Sequence, residues 1–150
     1  MTGPLLDGVK VRPLKRAGDA RGSLMAMLRA DDPWFERFGE IYFSQVAPGT
    51  VKAWRRHRRI TSNLAAPCGT VNLVLVDDRP SSRTHGQVMT LVMGEPEYVL
   101  VTVPPGIWTG WQSVGDSPAL LANCATDPHD DAEVDREEWD SPRIPYQWPR

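Results

Sequence analysis

The chain is poor in the residue types that build disulfide frameworks, metal centres and membrane spans. Its 150 residues include two cysteines, Cys68 and Cys124, and three histidines. Each cysteine lies in an apolar stretch, so we expect buried free thiols, and a disulfide is the less favoured alternative. No apolar run approaches the roughly 18 residues of a membrane span. The N-terminal residues lack the charged and apolar regions of a signal peptide, so we expect a cytoplasmic protein without membrane association.

An excess of charge of either sign is also lacking. Seventeen basic and nineteen acidic residues give a net charge of −2, and the isoelectric point is near 5.9. This balance argues against a general binder of nucleic acids or of anionic membrane surfaces. We therefore expect no nucleic-acid partner.

Proline and glycine, in contrast, are plentiful, with fourteen and twelve residues. They separate short segments in which apolar and polar residues alternate, a pattern typical of an all-β sandwich or barrel. Asp31–Phe38 is predicted to form one or two helical turns, with Pro33 at the first helical position. The predicted strands are Val9–Leu14, Ser23–Leu28, Glu40–Val46, Val51–Ile60, Val71–Val76, Gln87–Met93, Tyr98–Val103 and Ser117–Ala125.

The length predicts a single domain over residues 1–150 with one hydrophobic core. Residues 127–140 carry eight acidic residues and one arginine without an apolar period. We interpret them as a solvated loop or frayed helix, and a functional acidic tail is the less favoured alternative. Residues 141–150 are apolar and stiffened by proline, so we expect them to pack on the sheet or on a partner subunit.

The spacing around His57 carries the most information about function. Gly49, His57 and Gly69 lie at the spacing of the first cupin motif, G-x5-H-x-H-x4-E-x6-G, which this segment resembles. Arg55 occupies the position of the first histidine of that motif, and Ser62 occupies that of the glutamate. One of the three metal ligands of the motif is therefore present.

The second cupin motif, G-x5-P-x-G-x2-H-x3-N, is represented by Pro104 and Gly106. Thr109 occupies its histidine position and Ser113 its asparagine position. His57 is thus the one residue that remains of four metal ligands, and a tight metal site needs more donors than these motifs supply. We expect neither a metal nor another cofactor.

Strict alternation along a strand would point Arg55, His57 and Arg59 to the mouth of the barrel, and Lys52 and Trp54 to the other side. Buried arginines usually have an anionic partner, so this arrangement predicts an anionic ligand such as phosphate or carboxylate. The alternative is an edge strand with a solvated basic face. Positive neighbours favour a neutral imidazole, so His57 is a candidate base, and a structural histidine is the alternative.

Trp108 and Trp111 flank Thr109 next to the second motif. In this position they could form the wall of a pocket and stack on a planar ring. Packing in the core or at a dimer interface is the alternative for each of them.

Four further patterns occur in order along the chain: Asp19-x-Arg21-Gly22, Asp77-x-Arg79-x-x-Ser82-x-Thr84-x-Gly86, Pro104-x-Gly106 with Gly110, and Pro142-x-Ile144-x-x-x-Trp148-Pro149. Together they resemble the dTDP-4-dehydrorhamnose 3,5-epimerase (RmlC-like) cupins over nearly the whole chain. The resemblance implies a jelly-roll β-sandwich, a homodimer, no metal, and a 4-keto sugar carried on thymidine diphosphate. It also implies that His57 abstracts the proton next to the ketone and that Arg21 reaches the diphosphate, often across the dimer.

Several residues of that family are replaced here. The catalytic lysine aligns with Ser62, the tyrosine acid with Ala122, and the inward histidine of the second motif with Thr109. The aspartate that pairs with the catalytic histidine comes from a segment beyond the position of Arg150. Two hypotheses follow: an isomerase or epimerase of a keto compound, and a diverged cupin that binds a nucleotide sugar or acts as a non-catalytic or tailoring protein. The candidate site consists of His57 and Arg55 as catalytic residues, and Arg21, Arg59, Thr109, Trp108 and Trp111 as substrate-binding residues.

Overall fold

The computed structural model describes residues 1–149, in which twelve β-strands and one short 3-10 helix, Asp131–Glu133, form the fold. The strands are β1 (Lys10–Pro13), β2 (Arg16–Asp19), β3 (Gly22–Met25), β4 (Glu40–Val46), β5 (Val51–His57), β6 (Ser62–Cys68), β7 (Thr70–Asp77), β8 (Val88–Gly94), β9 (Val99–Val103), β10 (Ile107–Ser113), β11 (Ala119–Ala125) and β12 (Val134–Arg136). Arg150, the last residue of the predicted C-terminal packing segment, lies outside the described residues.

Two five-stranded sheets and one hairpin contain these strands. The first sheet has the order β1-β9-β6-β11-β4, the second has the order β12-β5-β10-β7-β8, and β2 pairs with β3. All neighbouring strands are antiparallel. The predicted all-β sandwich is confirmed.

The main hydrophobic core lies between the two sheets. β7 contributes Leu73 and Leu75, β8 contributes Met93, and β9 contributes Val101, and each is at most 1% exposed. These strands point alternate side chains to the partner sheet, which is why their apolar pattern was visible in the sequence. The sandwich therefore holds β5 and β10 on a rigid support.

A second apolar cluster covers the other face of the second sheet. Ile144 and Trp148 of the C-terminal segment pack there against Trp54 of β5. The Trp54 and Trp148 ring centroids are 5.1 Å apart. Gly110 of β10 permits this approach, because a Cβ there would lie 2.7 Å from Trp148 and 2.6 Å from the Cβ of Ala53.

The predicted helix over Asp31–Phe38 is wrong. The segment forms turns, and the Asp32 carboxylate accepts a hydrogen bond from the preceding Arg29 N–H at 2.8 Å rather than from a residue that follows it. Phe38 is 63% exposed, so the segment has no buried apolar stripe that would stabilise a helix.

Two further expectations need correction. The acidic segment 127–140 is not a solvated loop throughout, because it contains the 3-10 helix and β12, and Glu133 is 5% exposed. The cysteines differ from each other: Cys68 is exposed, and Cys124 is buried. Burial raises the pKa of the Cys124 thiol. The structure over residues 1–149 contains no helix long and apolar enough to cross a membrane.

Candidate active site

His57 is the last residue of β5, which runs between β10 and β12. The pairing of β5 with β10 contains a register shift: Arg55 lies opposite Thr109, whereas Lys52 lies opposite Trp111. One extra residue of β5 is accommodated between these pairs, as in a β-bulge. Lys52 therefore faces the same side as Arg55 and His57, and the prediction from strict alternation that it points the other way is wrong.

These side chains line a cavity of about 630 Å³ between the two sheets. The wall from the first sheet consists of Tyr42, Ser44, Ser62, Leu64, Leu121 and Asn123. The facing wall from the second sheet includes Lys52, Arg55, His57, Thr109, Trp111 and Arg136. The wall of the first sheet thus carries hydroxyl and amide groups. The imidazole and the cations lie on the facing wall, and the carboxylates of Glu137 and Glu138, which follow β12, also line the cavity.

His57 is paired with a carboxylate. Its Nδ1 contacts Oε1 of Glu133, and the two side chains are 19% and 5% exposed. Burial acts to raise the pKa of Glu133, but hydrogen bonds from His57 and from the N–H groups of Arg59 and Ile60 outweigh it and hold the pKa below its usual value. An ionised Glu133 accepts the proton of Nδ1, which leaves Nε2 as the nitrogen that can take a proton.

Backbone groups hold Glu133 in place. Its Oε2 accepts the N–H groups of Arg58, Arg59 and Ile60 at 3.2, 3.0 and 3.2 Å. The chain turns at the end of β5 so that three consecutive amides converge on one oxygen. The carboxylate is therefore fixed before any ligand enters the site.

The strand that follows Glu133 is also fixed to β5. β12 pairs with β5 so that Val134 lies opposite His57. Asp135 of β12 accepts hydrogen bonds from Arg56 at 2.8 Å and from Arg58 at 2.5 Å. The hydrogen bonds from Arg58 and Arg56 lower the pKa of Asp135. These two arginines therefore attach β12 to β5.

Lys52 supplies an ammonium group to the cavity. Its Nζ donates to Ser44 Oγ at 2.9 Å and to the carbonyl oxygen of Gln45 at 2.8 Å. It also lies 5.7 Å from the centroid of the Trp111 ring. The ammonium thus reaches from one sheet to the other next to the aromatic wall.

Three other predicted site residues line the same cavity. Arg55 and Thr109 face each other across β5 and β10, and Trp111, 7% exposed, forms part of the apolar wall. Among residues 1–149, no carboxylate forms an ion pair with Arg55. Its guanidinium is therefore available to an anionic ligand.

The remaining three predicted residues lie elsewhere in the chain. Trp108 points to the opposite face of β10, where its Nε1 donates to Asp78 at 2.9 Å, because its neighbours Thr109 and Trp111 alternate with it in the strand. Arg59 follows the end of β5 and lies 3.9 Å from Asp130. Arg21 lies in the β2–β3 hairpin, where it pairs with Asp19, and its side chain is 90% exposed.

The sequence analysis missed Lys52, Tyr42 and Asn123 of the cavity wall, and it missed Glu133, which pairs with His57. Lys52 was assigned to the wrong face of β5. Glu133 is one of eight acidic residues in the segment 127–140, and nothing in the sequence distinguished it from the others. Ala122 was aligned with the tyrosine of the epimerases, but its neighbour Asn123 is the residue that faces the cavity. The described residues contain no cluster of three or more His, Cys, Asp or Glu side chains arranged to hold a metal ion.

Comparisons with known proteins identify the family of this chain. The sequence profile of the family described as dTDP-4-dehydrorhamnose 3,5-epimerase matches residues 5–150. The chain belongs to this family. It is therefore an epimerase, an enzyme of sugar biosynthesis, and the resemblance noted in its sequence is confirmed.

A curated relative in this epimerase family is the probable low-salt glycan biosynthesis epimerase Agl13 of Haloferax volcanii, which is 36% identical over 145 residues, or 95% of this chain and 90% of that protein. Among solved structures, a dTDP sugar isomerase from Desulfovibrio desulfuricans G20 is 40% identical with a TM-score of 0.94, covering 99% of this chain and 94% of the other. The epimerase RmlC of Legionella pneumophila is 22% identical with a TM-score of 0.83, covering 95% of this chain and 79% of the other, and it shares the fold.

Proposed function

We propose that this epimerase acts on a 4-keto-6-deoxy sugar carried on thymidine diphosphate, with His57 as the general base. The observation that carries the proposal is the His57–Glu133 pair on a cavity wall that also presents Lys52 and Arg55. The solved relative from Desulfovibrio desulfuricans is named as a dTDP sugar isomerase, which supports the nucleotide.

The chemistry begins with proton removal from the carbon next to the ketone. His57 takes this proton on Nε2, and the electron pair of the C–H bond forms the enolate. Glu133 keeps the proton of Nδ1 in place and stabilises the imidazolium that results. The His57–Glu133 pair is therefore a better base for this proton removal than a histidine without a carboxylate partner.

The enolate oxygen needs a cation or a hydrogen-bond donor. Lys52 can substitute for the missing family lysine, because its ammonium lies beside Ser44 of the facing wall. Arg55 is the second cation on the same wall. One such donor is worth about 3–4 kcal/mol of transition-state stabilisation, which corresponds to a rate difference of about 10²–10³-fold.

The other contacts to the substrate follow from the position of each residue. Trp111 offers an apolar surface for a ring, and Thr109 offers a hydroxyl. We assign the diphosphate to Arg21 and Arg59, which are both exposed cations. The reaction uses proton transfer alone, so no cofactor is proposed.

Arg21 can contribute only if a second copy brings it to the cavity, since its hairpin forms no part of the cavity wall within one chain. We therefore propose a homodimer. The exposed apolar side chains of β4, Ile41 and Phe43, are 49% and 62% exposed and support an interface on this face.

The test is incubation with dTDP-4-keto-6-deoxyglucose in deuterated water, with deuterium at carbons 3 and 5 followed by NMR. We expect label with the wild-type protein and at least a ~100-fold slower incorporation with His57→Gln. His85→Gln is the matched control, because His85 lies in an exposed turn and contacts the Arg79 carbonyl. Its rate should equal that of the wild type.

Equal labelling by a folded His57→Gln variant would contradict the role of His57. No label with the wild type, together with a melting temperature raised by dTDP, would instead favour the diverged binding protein. The absence of both responses would exclude this substrate class.

A further inference from the structure

Epimerisation needs two proton transfers on opposite faces of one carbon. His57 can remove the proton from one side only, because β5 fixes it on the wall of the second sheet. Inversion therefore requires a proton donor on the facing wall. This wall is formed by β4, β6 and β11. This requirement rests on the proposed function.

Four polar side chains are present on that wall: Tyr42, Ser44, Ser62 and Asn123. An amide does not give up a proton at neutral pH, and a serine hydroxyl is a far weaker acid than a phenol, whose ordinary pKa is about 10. Ser44 is already used as the acceptor for Lys52. By acidity, Tyr42 is the best donor on this wall.

The hydrogen bonds of Asn123 determine which way the Tyr42 hydroxyl is used. Asn123 is 4% exposed, and its Oδ1 accepts the backbone N–H of Asn63 at 3.1 Å. A backbone N–H can only donate, so the amide orientation is fixed. Nδ2 must then face Tyr42, and it lies 2.9 Å from the hydroxyl oxygen.

Tyr42 consequently accepts in this bond, and its own hydrogen is not used by Asn123. Among residues 1–149 this is the single hydrogen bond that the Tyr42 oxygen makes. The hydrogen can therefore be directed to a ligand in the cavity. The N–H of Asn123 also remains in place to stabilise the phenolate that forms when the proton leaves.

We infer that Tyr42 is the acid that returns a proton to the enolate from the face opposite His57. The enolate electron pair takes the Tyr42 proton, a new C–H bond forms with inverted configuration, and the carbonyl is restored. His57 then releases its proton to water, and the Tyr42 phenolate takes one from water, so that the protein returns to its starting state.

The experiment compares Tyr42→Phe with Tyr146→Phe in deuterated water and follows two quantities: deuterium in recovered substrate and the amount of inverted product. Tyr146 is a matched control, because it accepts a hydrogen bond from Asn72 at 3.2 Å in the outer aromatic cluster, away from the cavity. We expect Tyr42→Phe to lose at least ~100-fold of inversion while His57-dependent exchange continues, since one general acid contributes about 10²–10⁴-fold. Tyr146→Phe should keep both.

The other possible outcomes of this experiment distinguish a failure of the proposed function from a failure of the role of Tyr42. Wild-type protein that shows neither exchange nor inversion would refute the proposed function itself. Wild-type activity with unchanged inversion in Tyr42→Phe would overturn the role of Tyr42 alone. A folded Tyr42→Phe variant that loses exchange together with inversion would also overturn it, because the phenol would then serve binding or proton removal.

Discussion

Glu133 determines which nitrogen of His57 is available for chemistry. It approaches Nδ1 from a 3-10 helix, and three backbone N–H groups hold its second oxygen. It does not need to touch a substrate to act. Its effect is to select one tautomer and to provide a negative charge beside the imidazolium, which makes it a positioning residue.

The variant Glu133→Gln should show whether Glu133 positions His57 or binds the substrate. We expect kcat to fall by about 10²–10⁴-fold, because the amide can stabilise the wrong tautomer and brings no charge. KM should change little, because Glu133 does not need to touch the substrate. Glu97→Gln, in an exposed turn, is the control. A rise in KM with constant kcat would show that Glu133 acts through the substrate instead.

The β7–β8 loop shows how a motif shared with the epimerases can be structural. Asp77, 0% exposed, accepts hydrogen bonds from Arg79 at 2.8 Å, Ser82 at 2.5 Å and Thr84 at 2.7 Å. Gly86 donates its N–H to the Asp77 carbonyl and has φ of +78°. Every fixed position of that sequence pattern therefore serves the loop and lies outside the catalytic cavity.

Asp77→Asn should destabilise the fold. Burial acts to raise the pKa of Asp77, but hydrogen bonds from Arg79, Ser82 and Thr84 outweigh it and lower the pKa. The stabilisation is therefore complete above the ordinary aspartate pKa of about 4 and is lost as the pH falls below it. Urea titrations should show a free energy of unfolding lower by about 2–4 kcal/mol at neutral pH, and a weaker loss of stability in acid.

Asp116→Asn is the control for this measurement, since Asp116 is exposed between β10 and β11. Its unfolding curve should match that of the wild type at every pH. If Asp77→Asn retained the full acid dependence, another carboxylate would have to be responsible for it.

The alternation of apolar and polar residues predicted many of the strands. It missed strands that are stabilised by contacts with distant parts of the chain. β4 was predicted with its observed bounds, because its side chains alternate between the cavity and the exposed face. β6 was missed, since its small buried residues Ala65 and Ala66 lack the branched side chains that indicate a strand. β12 is held by ion pairs of Asp135 rather than by an apolar pattern. The register shift that turns Lys52 inward likewise depends on the partner strand.

The division of the cavity into two walls is a property of the sandwich as a whole. The imidazole of His57 and the cations come from the second sheet, and the hydroxyl of Tyr42 and the amide of Asn123 come from the first. Sequence reasoning identified His57 and Arg55, which lie on the wall of the second sheet, through motif spacing. It could not pair them with Tyr42, because the facing wall is defined by which sheets pack together.

The proposed homodimer is testable at β4, the edge strand of the first sheet. An edge with exposed apolar side chains favours association with a second copy. We expect the wild type to sediment as a dimer and Phe43→Asp to sediment as a folded monomer. Val92→Asp is the control, because Val92 is 51% exposed on β8 of the other sheet. A monomeric wild type, or a dimer that survives Phe43→Asp, would contradict the proposed interface.

The distance along the chain between His57 and Glu133, 76 positions, has a consequence for biosynthesis. A ribosome completes the strand that bears the imidazole long before it adds the carboxylate. While the later segment is still inside the exit tunnel, the nascent polypeptide has a histidine without its partner. The His57–Glu133 pair can therefore form only after that segment has emerged from the tunnel.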